Sequence, residues 1–495
     1  MDNHLHLVLC EGDRLSRQQL RAIYWRAAKV DHSEEDEERF MQFADDLINL
    51  KVVRSTLEDE IEEEFDEDSS GTDAVKIDSA QAVPVVEFWR GQYRVSNLVG
   101  SARMPASDVV LEILPKVNAE HYKDGADIEA VHGRNRESLM RMWSYAADLN
   151  LREDDTRNDA GMREAHFPFH EWLVNRFLIQ VKELLSRGIR FQYIERDENL
   201  LSPRGRVMIA QNLRSNTFAP HRFYCRFEEL SPDRPENRLI LATLKKIVVF
   251  TSDDGNRREA SHIANELHEV PPSHNIDLDF ALWRDDRLMA HYREIRKTCH
   301  WILHEMGPAP VHGDQQMFGR FVRMNDVFER YVSRWMAEKL QSARSDHKLI
   351  DQTVKLGANS KIKDLAIWEG NVIKNKIMKP DILIYLQSRC MAILDTKWKR
   401  RDDATATSGD MYQLFAYASH WLATDPTVSH MALIYPATSI NKNSEFFRFQ
   451  KFPNIVGYAL RFQLPIRINN EWNEGITGIF ANREIPQWLE LCRSR

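Results

Sequence analysis

Long apolar runs are missing from this sequence. No stretch reaches the roughly 18 consecutive apolar residues that cross a bilayer, so no membrane-spanning helix and no membrane partner is expected. The chain opens Met1-Asp2-Asn3-His4 without a basic stretch leading into an apolar one, which gives no signal peptide. Cysteine is scarce. Cys10, Cys225, Cys299, Cys390 and Cys492 are scattered, odd in number and form no CxxC pair, which suits a reducing cytoplasm rather than a disulfide framework. No GxxxxGK[ST] occurs, which excludes nucleotide hydrolysis through a P-loop. No HExxH occurs either. The pairs His166/His170 and His300/His304 have helical ligand spacing but stand alone, so they read as structural and no zinc is expected.

An excess of positive charge is also absent. The net charge is −8, whereas a protein that embraces long DNA unaided is more often basic. One tract carries the imbalance, because nine of the eleven residues from Glu58 to Asp68 are acidic. The remainder is close to neutral and leaves room for local basic patches.

What is present fits a soluble multi-domain chain. At 43% hydrophobic and 29% charged over 495 residues, there is material for roughly two to four domains. Residues 1–53 read as a helical extension. Leu15 to Ala28 and Glu34 to Leu50 repeat apolar residues at helical spacing, and Ser33 is placed to cap the second helix. Residues 54–80 form an acidic linker, since like charges this dense repel and bury no core. Residues 81–130 read as a small β domain. Val85 to Trp89, Tyr93 to Val95 and Val109 to Leu114 are β-rich, with breaks at Gly91, Gly100 and Pro105. In the last of these strands Glu112 is expected to face solvent. Residues 131–310 are mainly helical, with clear periodicity over Leu139 to Leu149, Trp172 to Leu185 and Asn237 to Phe250. Within them Arg204-Gly205-Arg206 reads as a glycine-enabled turn with solvated arginines. Residues 311–495 alternate helix and strand. The fold class is therefore α+β, in several domains without internal repeats.

The chemistry concentrates in the last segment. Lys379-Pro380-Asp381 leads into the apolar Ile382 to Leu386. A polar Gln387-Ser388-Arg389 turn follows, then Cys390 to Leu394 and Asp395-Thr396-Lys397-Trp398-Lys399. This predicts a hairpin. Side chains alternate across a strand, so Asp395 and Lys397 share a face, with Asp381 at the start of the neighbouring strand. Two carboxylates and an ammonium at one sheet edge suit phosphodiester hydrolysis. The carboxylates serve as oxygen ligands for magnesium, with manganese as a substitute, and the lysine orients water and offsets developing charge. Two flanking helices add candidates. Gln413 and Tyr417 are four apart on one face and can steady the lysine or meet a phosphate. Glu329, on the amphipathic stretch from Met324 to Val332, is a candidate third carboxylate at the metal. Lys374, Lys376, Lys379, Lys397, Lys399, Arg400 and Arg401 cluster in sequence around the site, a charge suited to DNA phosphates.

Together these residues resemble the PD-(D/E)xK nuclease superfamily and, more narrowly, the McrC family, the nuclease subunits of McrBC-type modification-dependent restriction systems. Leu111-Glu112-Ile113-Leu114-Pro115-Lys116-Val117, after Val99-Gly100, is similar to that family's "EILPK" signature. Leu139 to Leu149, with Ser144-Tyr145-Ala146, is similar to its "L-S-Y-A" helix. Gly188-Ile189-Arg190 to Tyr193, Arg204-Gly205-Arg206, Glu228 to Ser231 and Asn237-Arg238 follow in the family's order. Asn325 with Glu329, Pro380-Asp381, Asp395-Thr396-Lys397 and Gln413 to Tyr417 complete the set, which spans roughly residues 83–440. Residues 1–53, the acidic tract and stretches near 118–135 and 152–165 look like additions.

The resemblance implies a restriction-endonuclease-like C-terminal core over 311–495 that cuts double-stranded, modified DNA with magnesium. Asp381, Asp395 and Glu329 would hold the metal, Lys397 would orient the nucleophile, and Gln413 and Tyr417 would support them. It also implies docking on a hexameric AAA+ GTPase, McrB, with the 81–130 domain and the helices behind it as the docking arm that stimulates GTP hydrolysis. An acidic chain without a P-loop is compatible with such a partner holding the DNA. Two other readings stay open at this point. One is a stand-alone RecB-like defence or repair nuclease, which the Gln413/Tyr417 helix also resembles. The other is a non-catalytic GTPase-activating scaffold.

Overall fold

The structure is a computed structural model. It describes residues 5–28, 33–53, 82–104, 107, 109–116, 127–147, 167–284, 289–306, 318–345, 354–357, 367–368, 371–372, 380–386, 389–399, 406–424, 428–437, 445–468 and 471–477. The acidic tract, His166, Gln387, Ser388, Lys374, Lys376, Lys379, Arg400 and Arg401 lie outside the described residues. The architecture is mixed α and β, with several sheets in two compact units, in keeping with an α+β class. One unit comprises Phe169–Arg320 with Met1–His4 and Ala102–Asp108. The other comprises Leu5–Ser101, Val109–Pro168 and Phe321–Arg495. Among the described residues no helix is long and apolar enough to cross a membrane.

The second unit begins with a strand, which corrects the helical reading of residues 1–53. Leu5–Cys10 (β1) alternates apolar positions, with Leu7 and Leu9 buried. It pairs in parallel with Val109–Leu114, Leu7 opposite Leu111 and Leu9 opposite Ile113. A six-residue strand is too short to announce itself without the partner that it meets about a hundred residues later. Arg14–Ser16 (β2) leads into the helices Arg17–Ala28 (α1) and Glu34–Asn49 (α2). Ser33 caps α2 through a capping box. Its Oγ accepts from the Asp36 N–H at 3.2 Å, and Asp36 accepts from the Ser33 N–H at 3.0 Å. Lys51–Val53 (β3) pairs with Ala82–Pro84 (β4), and Val86–Trp89 (β5) and Gln92–Val95 (β6) pair with each other. Leu98–Met104 (β7) and Val109–Leu114 (β8) lie inside a four-stranded sheet of order β1-β8-β7-β12, where β12 is Phe318–Arg323. Ile128–Ala146 (α3) follows.

Glu112, expected in solvent, is instead fully buried in β8. Arg136 of α3 donates to both of its oxygens, Nε to Oε1 at 2.9 Å and Nη2 to Oε2 at 2.6 Å, and His6 stands 3.1 Å from Oε2. Burial alone raises the Glu112 carboxyl, but the Arg136 charge and hydrogen bonds, with His6, outweigh it and hold the group at about 2. An acidic residue in an apolar strand reads as an exposed position only until its guanidinium is seen.

The first unit is built from Phe169–Arg187 (α4), Gln192–Leu200 (β9), Arg206–Val207 (β10), Ile209–Ser215 (α5), Phe223–Ser231 (β11), Pro235–Phe250 (α6), Asp254–Glu266 (α7), Ile276–Leu282 (α8) and Ala290–His300 (α9). Its three strands form an antiparallel sheet of order β10-β11-β9. The glycine turn is present: Gly205 has φ +64, and a Cβ there would stand 2.7 Å from the Phe227 Cβ. The Arg204 guanidinium stacks on the Phe227 ring at 4.3 Å. Gly205→Ala combines left-handed backbone with this clash and is expected to destabilise the unit by about 1–3 kcal/mol. A fall in the thermal midpoint of the purified variant would register it, and an unchanged midpoint would refute it.

The rest of the second unit is Met324–Ser345 (α10), Val354–Gly357 (β13), Ile367–Trp368 (β14), Asn371–Val372 (β15), Ile382–Leu386 (β16), Arg389–Thr396 (β17), Ser408–Thr424 (α11), His430–Ala437 (β18), Glu445–Phe449 (β19), Phe452–Ile468 (β20) and Glu471–Thr477 (β21). Seven of these strands make a mixed sheet of order β13-β16-β17-β18-β20-β19, with β21 also on β20. One face buries Leu383, Ile393, Leu433 and Ala459 under Leu414 and Tyr417 of α11. On the other face, Phe462 of β20 is met by Phe328, Tyr331 and Trp335 of α10. The Ser138 hydroxyl of α3 donates to the Pro465 carbonyl at 2.6 Å.

Candidate active site

The hairpin follows from its alternation. β16 and β17 run antiparallel with Ile382 opposite Leu394 and Leu383 opposite Ile393. β17 continues in parallel along β18, Asp395 opposite Leu433. Because Ile393 faces α11, the same alternation turns Asp395 and then Lys397 toward that helix. The Lys397 N–H still donates to the Ile434 carbonyl at 2.8 Å, so the lysine sits on ordered backbone one residue beyond the strand.

Asp395 is 1% exposed. Its Oδ2 meets the Lys397 ammonium at 2.5 Å as an ion pair. Its Oδ1 accepts from Gln413 Nε2 at 3.3 Å, and the same amide donates to the Tyr417 hydroxyl at 2.8 Å. Asp381 is held from the other side. Its Oδ2 accepts from the backbone N–H of Thr396 at 2.6 Å and from the Thr396 hydroxyl at 2.7 Å. Burial and the nearby Asp381 charge push the Asp395 carboxyl up to about 7, against the lowering pull of Lys397. Burial, with the Asp395 charge, likewise raises the Tyr417 hydroxyl.

Five of the six sequence candidates therefore converge: Asp381, Asp395, Lys397, Gln413 and Tyr417. Glu329 is half-buried on α10, one residue after Phe328, whose ring packs on Trp398 at 5.2 Å. It does not join the two aspartates as a ready-made ligand set. Among the described residues no three His, Cys, Asp or Glu side chains are gathered to hold a metal by themselves. The two aspartates alone still suit magnesium, which keeps several waters and is commonly held by one or two carboxylates with substrate phosphate. A buried carboxylate whose own ionisation is opposed by a second one is a site that an added cation stabilises.

Reading the sequence alone missed three contributors. Thr396 was passed over as the spacer between Asp395 and Lys397, although its hydroxyl and N–H fix Asp381. Asp410 is 3% exposed, accepts from Lys399 Nζ at 2.6 Å and from the Tyr435 hydroxyl at 3.1 Å, and adds to the charge opposing Asp395. Its spacing was a usable signal, because Asp410, Gln413 and Tyr417 recur along one face of α11. The third, Glu11, carried no local signal at all. It accepts from the indole of Trp398, the residue after Lys397.

The family model described as McrBC 5-methylcytosine restriction system component matches residues 93–436, which include all six candidates. The chain belongs to this family. One solved structure extends the likeness beyond the matched segment. A refined half-complex from a tetradecameric assembly of Thermococcus gammatolerans McrB AAA+ hexamers with bound McrC contains a chain that is 19% identical at a TM-score of 0.63. The match covers 92% of this chain and 94% of that one, which establishes a shared fold. The cryo-EM structure of the Thermococcus gammatolerans McrBC complex matches at 19% identity and a TM-score of 0.45, over 68% of this chain and 88% of that one. No curated protein matches.

Proposed function

We propose that this member of the McrBC family is the nuclease subunit, of the McrC type: a PD-(D/E)xK, magnesium-dependent endonuclease that cuts modified double-stranded DNA under a partner AAA+ GTPase. The observation that carries the reading is the juxtaposition of Asp381, Asp395 and Lys397 on one hairpin, backed by Gln413 and Tyr417. The missing P-loop supports assignment to the subunit that does not hydrolyse GTP. The chain of similar fold comes from an assembly of McrB AAA+ hexamers with bound McrC, which is compatible with such a partner. Large apolar side chains exposed on the first unit suit a docked partner, among them Phe218 at 99%, Ile209 at 71% and Tyr193 at 71%.

Asp381 and Asp395 would hold the magnesium, with manganese as a substitute, and Glu329 is the candidate for a further contact. The bound ion supplies Lewis-acid charge at the phosphoryl oxygen and lowers the pKa of a water. The residues of the chain do the rest. Thr396 keeps Asp381 aimed at the site. Gln413 and Tyr417 keep Asp395 from rotating. Lys397, 2.5 Å from Asp395, aligns the attacking water and offsets the charge that develops on the phosphate.

The test is cleavage of methylated and unmethylated plasmid with and without the AAA+ partner, GTP and magnesium. Cutting is expected only when all three are present. Cutting without the partner would move the assignment to a stand-alone nuclease. Stimulation of GTP hydrolysis without any cutting would leave a scaffold.

A further inference from the structure

The backbone that carries Lys397 leaves the sheet at once, and what holds it there comes from the opposite end of the chain. The Trp398 Nε1–H donates to Glu11 Oε1 at 2.9 Å, across 387 residues. Glu11 follows β1 directly and is 5% exposed. Its N–H donates to the Leu114 carbonyl at 3.0 Å, and the Lys116 N–H donates to the same Oε1 at 3.4 Å. The carboxylate is thus fixed to the joined ends of β1 and β8. The Trp398 ring is pressed on Phe328 of α10 at 5.2 Å. A half-buried indole seeks an acceptor for its N–H, and an ionised carboxylate is a strong one.

This anchor bears on Lys397 by geometry. The lysine ammonium ends a long flexible stem, so its place beside Asp395 depends on the path of residues 397–399. Besides the Trp398 ring on Phe328 and the Lys399 N–H turned back on the Lys397 carbonyl, hydrogen bonds and ion pairs from each residue hold that path to other elements: the Lys397 N–H on Ile434, Trp398 on Glu11, and Lys399 on Asp410. Only the middle tie reaches the N-terminal sheet.

We propose that Glu11 is a positioning residue for the nuclease site, acting through Trp398 to hold Lys397 against Asp395. Cleavage then depends on β1, a strand distant in sequence from the chemistry. The inference rests on the nuclease reading given above.

The test uses the full chain reconstituted with its GTPase partner, and compares Glu11→Ala, Glu11→Gln, Trp398→Phe, the Glu11→Ala/Trp398→Phe pair and Lys397→Ala. Glu11→Ala and Trp398→Phe are each expected to lower kcat about ten- to a hundredfold with KM for DNA unchanged. The double variant should be no worse than the poorer single, because both remove one bond. Glu11→Gln keeps an acceptor oxygen and should restore most of the rate. Trp398→Phe keeps the ring on Phe328 and decides the matter if Glu11→Ala does not fold. Normal kcat in Trp398→Phe, a change confined to KM, or multiplying losses in the double variant would overturn the proposal. If Lys397→Ala itself cuts at the wild-type rate, the nuclease reading fails. If Lys397→Ala is inactive while Trp398→Phe cuts normally, the positioning role alone fails.

Discussion

Lys397→Ala is expected to slow DNA cleavage by the reconstituted complex about 10²–10³-fold, the usual loss when one charge-stabilising donor is removed from a preorganised site. Lys399, the next ammonium along the backbone, is engaged by Asp410 at 2.6 Å. Arginine should rescue poorly, since its planar fork cannot reproduce a point charge on the same stem. Asp395→Asn is expected to cost at least as much activity for a different reason, the loss of an ionic ligand. The two should part in stability. The Asp395 carboxyl is pushed up to about 7, which means that the fold works against its charge. Asparagine removes that charge, keeps an oxygen for Gln413, and leaves Lys397 partly in water, at 19% exposure. The thermal midpoint should therefore hold or rise while cleavage collapses. Single-turnover plasmid nicking beside a melting curve measures both. A variant that melts lower and still cuts would mark the pair as structural.

Arg136→Ala is expected to destabilise the second unit by about 3–5 kcal/mol, because it takes the guanidinium from a fully buried Glu112 and leaves it His6. Glu112→Ala should cost a similar amount by taking the carboxylate from a guanidinium that is 6% exposed. The apolar pair Glu112→Leu/Arg136→Met should recover most of the loss, since it abandons both desolvation costs at once. Chemical denaturation of the four proteins checks this, and additive single losses would refute it. The pH dependence has a definite sign. Glu112 titrates at about 2 in the fold and at 4.5 without its surroundings, so the unfolded chain binds the proton first. About 3 kcal/mol of stability is then present above pH 4.5 and lost as the pH falls toward 2. Arg136→Ala should flatten that acid limb.

How far the sequence reveals these features depends on the distance over which each is defined. The hairpin was legible because two apolar runs, a polar turn and an alternating Asp-Thr-Lys lie within twenty residues. The shared face of Gln413 and Tyr417 was legible from helical spacing. Glu112 was misjudged because its partners stand 24 residues after it and 106 before it. The strand character of Leu5–Cys10 was lost for the same reason, since its partner begins at Val109. Glu11 and Trp398 could not have been joined by any local rule. Periodicity reports which way a side chain faces, whereas the identity of what it meets is decided by topology.

The division of the chain also orders its assembly in time. Nearly all of the first unit is the unbroken stretch Phe169–Arg320, whose contacts become available as soon as that stretch has been made. The second unit must close Ser138 on Pro465 over 327 residues, Arg141 on Glu474 over 333 and Glu11 on Trp398 over 387. Loops this long form late. During synthesis the first unit can be folded while the two aspartates and the lysine are still unmade. A product cut short between Arg320 and the hairpin carries the exposed apolar surface of that unit and neither the two aspartates nor the lysine.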